Sequence, residues 1–208
     1  MGDLPRGVYA LSRIWDPICA GRLLPDGVNA QHSASQQPAV TFTPMNAPQP
    51  VTLYLLCGKI AAGKSTLARQ LSQRPATLLI AMDDWMSVLY PTENRTIEDF
   101  AQLSKRLRAA MGPHVVAILR QGVSVVMDFP ANTVMWRSWL RSLADEAGVA
   151  HELHVLELSD DACKARLAQR NASGDHPYQV DEATYDQFMS YFTYPSAEEG
   201  CNVVVHVA

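Results

Sequence analysis

Val51-Thr-Leu-Tyr-Leu-Leu-Cys-Gly-Lys-Ile-Ala-Ala-Gly-Lys-Ser65 joins an unbroken apolar run to a loop bounded by glycines. The run reads as a strand covered on both faces. Lys64 to about Gln73 then carries helix formers with Leu67 and Leu71 at i, i+4. Between them, Gly58 to Ser65 fits G-x-x-x-x-G-K-[ST] without a mismatch, in the strand–loop–helix setting the pattern requires. The glycines let the backbone bend so that successive N–H groups converge on phosphate oxygens. Gly58, Ala61, Ala62, Gly63, Lys64, Ser65 and Thr66 are the expected cradle of a nucleoside triphosphate, ATP or GTP. Lys64 reaches the β- and γ-phosphates, the Ser65 hydroxyl is placed to ligand Mg²⁺, and the helix adds the positive end of its dipole. Lys59 reads as an exposed loop charge.

Outward from this loop, strands and helices alternate. Thr77–Met82, Val123–Met127, His151–Leu158 and Asn202–Val207 are the further predicted strands. Two or three helices are expected between Trp85 and Gln121, broken at Gly112-Pro113 because proline interrupts a helix. Others are expected from Asn132 or Thr133, from Ser159-Asp160-Asp161 to about Asn171, and from Glu182 to Tyr191. Such alternation predicts an α/β fold, a five-stranded, mainly parallel sheet between helices. Residues 1–50 hold seven of the thirteen prolines and keep neither a 3.6 nor a 2 period. They read as a flexible or loosely docked extension to a domain at 51–208, for which Met45 makes a natural start.

A phosphate loop does not say what receives the phosphate. Asp128, ending the third strand, is placed to order Mg²⁺ directly or through water. Asp83-Asp84-Trp85 follows the second strand, and the carboxyl ends of strands face the ligand crevice in an open α/β sheet. A carboxylate there can take the proton of an attacking hydroxyl, which makes Asp83 the expected base. Aspartate also caps helices well, so one of the pair can cap while the other faces the site. Arg166 and Arg170, four apart, share one helix face with planar donors suited to a phosphoryl group in flight. Asn171-Ala-Ser-Gly-Asp175 after them reads as a lid hinge, with the lid near residues 166–180.

The phosphate loop, the Asp after the next strand, Asp128-Phe-Pro-Ala-Asn-Thr133 and the Arg166-x-x-x-Arg170 helix together resemble the P-loop kinases related to zeta toxins, chloramphenicol phosphotransferase and the polynucleotide-kinase 5′-kinase domain. The resemblance covers about residues 51–207. It implies a nucleoside-monophosphate-kinase-like three-layer core, Mg²⁺-ATP and phosphoryl transfer to a hydroxyl. It also implies Lys64 and Ser65 on phosphate and metal, Asp83 as base, and Arg166 and Arg170 as lid arginines. Several relatives carry Arg three residues after the base, where this chain has Met86.

Charge narrows the acceptor. The chain has 21 acids against 17 Lys plus Arg, a net −4, which disfavours a nucleic-acid partner needing basic surface. From Asn171 to Ala208 there is no Lys or Arg, while Asp175, Asp181, Glu182, Asp186, Glu198 and Glu199 are acidic. Asp83, Asp84, Glu93, Glu98 and Asp99 make a second acid-rich stretch opposed only by Arg95. If both segments line the acceptor side, their carboxylates would attract a cation. Trp85, Tyr178, Tyr185, Tyr191 and Tyr194 would offer it flat faces. The expected acceptor contacts are Asp84, Trp85, Asp128, Tyr178, Asp181 and Glu182, and an aminoglycoside fits. A nucleotide-sugar kinase and a non-kinase ATPase switch are the alternatives. No apolar run reaches the ~20 residues of a membrane span. Four cysteines without CxxC spacing read as free thiols, so a cytoplasmic monomer or homodimer is expected.

Overall fold

Five strands, Thr52–Gly58 (β1), Thr77–Ala81 (β2), Ser124–Pro130 (β3), Ala150–Glu157 (β4) and Val203–Val207 (β5), pair in the order β2-β3-β1-β4-β5. Every pairing is parallel. The computed structural model describes residues 50–93, 96–173 and 180–207. They belong to the unit Asn46–Ala208, and the expected extension lies outside them apart from Pro50. The helices are Lys64–Leu71 (α1), Met82–Leu89 (α2), Ile97–Arg120 (α3), Val134–Ala147 (α4), Asp160–Ser173 (α5) and Glu182–Met189 (α6).

The apolar run before the phosphate loop forms β1, the middle strand, buried along its whole length. Its alternation divides two cores. Leu53, Leu55 and Cys57 point into a large cluster with Leu107, Val115, Leu119, Leu140 and Leu143 of α3 and α4. Tyr54 and Leu56 point the other way, onto Ala68 and Leu71 of α1. Burial pushes the Cys57 thiol up to about 11, so this cysteine is an inert core residue. The result is the three-layer α/β/α fold of P-loop NTPases. The chain leaves β1 toward β2, returns to β3 beside it, and only then crosses to β4 on the other side. That reversal places a crevice at the carboxyl ends of the strands flanking β1.

Local expectations needed correction at four places. α3 does not break at Gly112-Pro113; it runs from Ile97 to Arg120 with Pro113 inside. Leu103, Leu107, Met111, Val115, Val116 and Leu119 are buried along one face while Pro113 is exposed. Each such side chain contributes about 1.5–3 kcal/mol on burial, which outweighs the ~3 kcal/mol a helical proline costs. Neither Asp83 nor Asp84 caps α2. The N-cap is Ala81, without a side-chain cap, and both acids sit in the first turn. The helix of Arg166 and Arg170 continues to Ser173, into the segment Asn171–Asp175 expected as a hinge. The last helix ends at Met189 instead of Tyr191. Among the described residues no helix is long and apolar enough to cross a membrane.

Candidate active site

The phosphate loop leaves β1 at Gly58 and enters α1 at Lys64. Its conformation depends on glycine at two places. A Cβ on Gly58 would lie 3.1 Å from the Leu156 carbonyl oxygen and 3.2 Å from Leu156 Cβ, so β4 passes too close for a side chain. Gly63 is the N-cap of α1 with φ 106°, a backbone state that L side chains rarely adopt. Ala61 also takes a left-handed φ of 61°, and the Ala62 N–H donates to the Lys59 carbonyl at 3.2 Å to close the turn. No side chain caps α1, so the amides of its first turn are without a capping side chain at the expected phosphate position. Ser65 and Thr66 in that turn are exposed.

Lys64 folds back over the loop, its Nζ donating to the carbonyls of Gly58 and Lys59, each at 2.8 Å. Burial lowers its pKa, and Asp128, Cys57 and Asp83 oppose that by drawing the proton in. Lys64 is therefore within electrostatic reach of both site carboxylates. Asp128 stands on β3 opposite Ala81 of β2, and Asp83 lies two residues beyond Ala81. Strand pairing thus delivers both acids to the same end of the sheet as the loop.

Arg166 and Arg170 of α5 approach the same place. Arg166 Nη1 donates to the Ala62 carbonyl at 3.4 Å. Burial lowers the Arg170 pKa, opposed by the charge of Asp83, and its Nε is buried without a hydrogen-bond partner. The structure thus brings the loop, Asp83, Asp128, Arg166 and Arg170 to the same end of the sheet. α5 is held over the loop by Cys163 and Leu167, which pack with Ala62 and Tyr185.

The expected acceptor residues fare differently. Asp84 and Trp85 are exposed on α2. Asp181 is the N-cap of α6, accepting from the Thr184 N–H at 2.8 Å. Glu182 and Asp186 both hold Lys164, at 2.7 and 2.9 Å. Glu199 holds Arg137 at 2.6 Å. Of the acids in the C-terminal stretch, Asp181 therefore caps a helix, Glu182 and Asp186 share Lys164 of α5, and Glu199 pairs with Arg137 of α4, while Asp175 lies outside the described residues. Tyr185, expected as an open aromatic face, is buried with its hydroxyl donating to Asp160. Tyr178 lies outside the described residues. Met86, which replaces the arginine of several relatives, is wholly buried in the large core.

Two features escaped the sequence reading. Lys59 is not an exposed loop charge: its side chain is 15% exposed and pairs with Asp160 at 2.9 Å. That bond, with the Tyr185 hydroxyl, holds the Asp160 carboxyl below its ordinary range. The pairing ties the loop to α5, and α5 to α6. A cleft of about 610 Å³ adjoins it, lined by Lys59, Glu157, Ser159, Tyr194 and Val207 among others. The second feature is Asn132, whose Oδ1 accepts the Gly58 N–H at 3.0 Å. Its signal was its place, four residues beyond Asp128.

Known proteins give the same picture of the fold. Kti12 of Chaetomium thermophilum, solved with ADP-AlF3, is 16% identical, with a TM-score of 0.58 over 74% of this chain and 88% of its own. A sugar kinase from Janibacter, 15% identical, gives 0.52 over 76% and 86%. The APS kinase CysC of Mycobacterium tuberculosis, solved with AMPPNP and APS, is 16% identical and gives 0.51 over 77% and 90%. No curated protein sequence matches the chain. The profile of the AAA domain family matches residues 53–195, which takes in the phosphate loop, both carboxylates and both arginines, and the chain belongs to that family.

Proposed function

We propose that the protein is an ATP-dependent phosphotransferase that moves the γ-phosphate to a hydroxyl of a small polar molecule. The observation that carries this reading is the convergence of Lys64, Asp83, Asp128 and Arg170 at one end of the sheet, beside the open first turn of α1. The loop amides and Lys64 bind the phosphates, Lys64 exchanging its two carbonyl acceptors for phosphate oxygens. Ser65 and Asp128 suit Mg²⁺, which takes one or two protein oxygens and keeps the rest for phosphates and water. When bound, the ion supplies charge neutralisation at the β- and γ-oxygens. Asp83 accepts the hydroxyl proton as the acceptor oxygen attacks the γ-phosphorus and ADP leaves. Arg166 and Arg170 face the charge that spreads over the phosphoryl oxygens.

The cationic-acceptor idea loses its main support, because Asp181, Glu182, Asp186 and Glu199 are already engaged. Asp84 and Trp85 remain as its contacts on α2, so an aminoglycoside is one candidate beside neutral sugars and nucleotide sugars. The free thiols Cys57, Cys163 and Cys201 suit a reducing cytoplasm. The test is ATP consumption with and without a panel of hydroxyl compounds, followed by mass measurement of the acceptor. Gain of one phosphoryl mass on a panel compound supports the proposal and names the acceptor. Equal ATP hydrolysis with and without every compound would overturn it in favour of an ATPase switch.

A further inference from the structure

Behind the phosphate loop lies a polar brace built around the buried Arg137, which takes no part in the chemistry above. Its first member is the Asn132 side chain, reaching Gly58 across 74 residues of sequence. The Asn132 carbonyl accepts the Thr193 N–H at 2.9 Å, and the Ala131 N–H donates to the Leu56 carbonyl at 3.0 Å. Arg137, one turn into α4 and wholly buried, binds this segment from behind. Its Nε and Nη2 donate to the two carboxylate oxygens of Glu199 at 2.6 and 2.8 Å. Its Nη1 donates to the carbonyls of Ala131 and Thr193 at 3.1 and 2.8 Å. Nη2 also meets Thr193 Oγ1 and the Tyr194 carbonyl at 3.5 and 3.4 Å. Glu199 Oε1 in turn accepts the Ser196 N–H at 2.9 Å. All five guanidinium hydrogens thus have acceptors, the condition under which a buried charge network makes a rigid part.

This arrangement acts on the first peptide of the loop. The Gly58 N–H donates to Asn132 Oδ1, and Leu156 of β4 leaves little room for a Cβ on Gly58. With that peptide fixed, the next two carbonyls, of Gly58 and Lys59, are aimed at Lys64 Nζ. We propose that Asn132 is a positioning residue for the phosphate loop, held in place by the Arg137–Glu199 pair, so that the cradle stands preformed before any nucleotide arrives. In its nucleotide readout this rests on the phosphotransferase reading; in its effect on the loop it does not.

The experiment separates the two. In nucleotide-free protein, amide hydrogen exchange at Gly58 is measured for the wild type, Asn132→Ala, Asn132→Asp and Glu199→Gln. Losing one hydrogen bond worth about 1.4 kcal/mol predicts roughly tenfold faster exchange in Asn132→Ala. Asn132→Asp keeps the acceptor oxygen and restores slow exchange. Glu199→Gln, milder than any change at buried Arg137, speeds Gly58 exchange several-fold through the brace. Mg·ATP titration of Asn132→Ala then shows roughly tenfold weaker binding. Unchanged Gly58 exchange in Asn132→Ala or Glu199→Gln, or no rescue by Asn132→Asp, overturns the brace. Faster exchange with unaltered Mg·ATP affinity overturns its role in phosphate binding. A wild type that binds neither Mg·ATP nor Mg·GTP overturns the phosphotransferase reading, while the exchange rates still decide the brace.

Discussion

In the proposed reaction Lys64 and Asp83 do separate work, and their substitutions test the two roles separately. Lys64 Nζ has backbone carbonyls as partners and Asp128 as its strongest attraction, and in the proposed reaction it meets the phosphate charge. Lys64→Ala removes the charge that stabilises both bound and transferring phosphates. Transfer is expected to fall to background, with weaker Mg·ATP binding by calorimetry. Asp83 lies in the first turn of α2 and interacts electrostatically with Lys64 and Arg170. Asp83→Asn keeps the shape and loses the base. Turnover should drop by roughly 10²–10⁴ while the nucleotide Kd moves little. Full activity in Asp83→Asn would pass the base role to Asp84 or Asp128, which the same kinetic comparison on those residues would reveal.

Elements test the balance between local preference and packing, and α3 is where the two conflict. Its start obeys sequence rules: Thr96 accepts the Asp99 N–H at 3.1 Å while Asp99 accepts the Thr96 N–H at 3.0 Å, a capping box. Its middle does not, because Pro113 forfeits an N–H that would have served the carbonyl four residues back. Pro113 is exposed, so Pro113→Ala meets no steric obstacle and regains that bond. It should stabilise the fold by about 1–3 kcal/mol in denaturant melts. A loss of stability would mean that α3 needs its proline. Features fixed by neighbours in sequence were legible from sequence alone: the phosphate loop, Asp83 just after β2, Asp128 on β3, and the four-residue spacing of Arg166 and Arg170, although β3 does not end at Asp128 but runs on to Pro130. Features joining distant segments were not. Nothing near Glu199 announces that Arg137 lies against it 62 residues away, or that Lys164 will neutralise Glu182 and Asp186. A helix that survives its proline likewise depends on the core formed by other elements.

The whole molecule records protonation at the far side of the sheet, because a sheet of this kind unfolds as a unit. β5 is the sheet edge and is joined to the rest through β4. Between them His154 Nδ1 meets His206 Nε2 at 2.8 Å with the rings stacked, and His154 Nε2 lies 3.3 Å from Glu152. Tyr54, with Arg74 over its ring, closes the other side of His154. Burial, then His206, pushes the His154 pKa below its ordinary value of 6.5, with Glu152 opposing. His151 is lowered as well, by burial and then by Arg141. For a histidine depressed in the folded state, the unfolded chain binds the proton first as pH falls. The stability contribution of each is complete above pH 6.5 and is lost as pH drops from there toward the folded value. Glu199 works in a lower window. Its carboxyl, lowered chiefly by Arg137 from an ordinary 4.5, keeps its contribution until the pH falls below that value. The melting temperature should therefore decline between pH 7.5 and 5.5, with up to about 1.4 kcal/mol per pH unit for each proton taken up. His154→Gln removes one of the two histidines lowered by the fold, so the difference in melting temperature between those pH values should shrink. An undiminished difference in His154→Gln would show that the acid sensitivity of the molecule originates elsewhere.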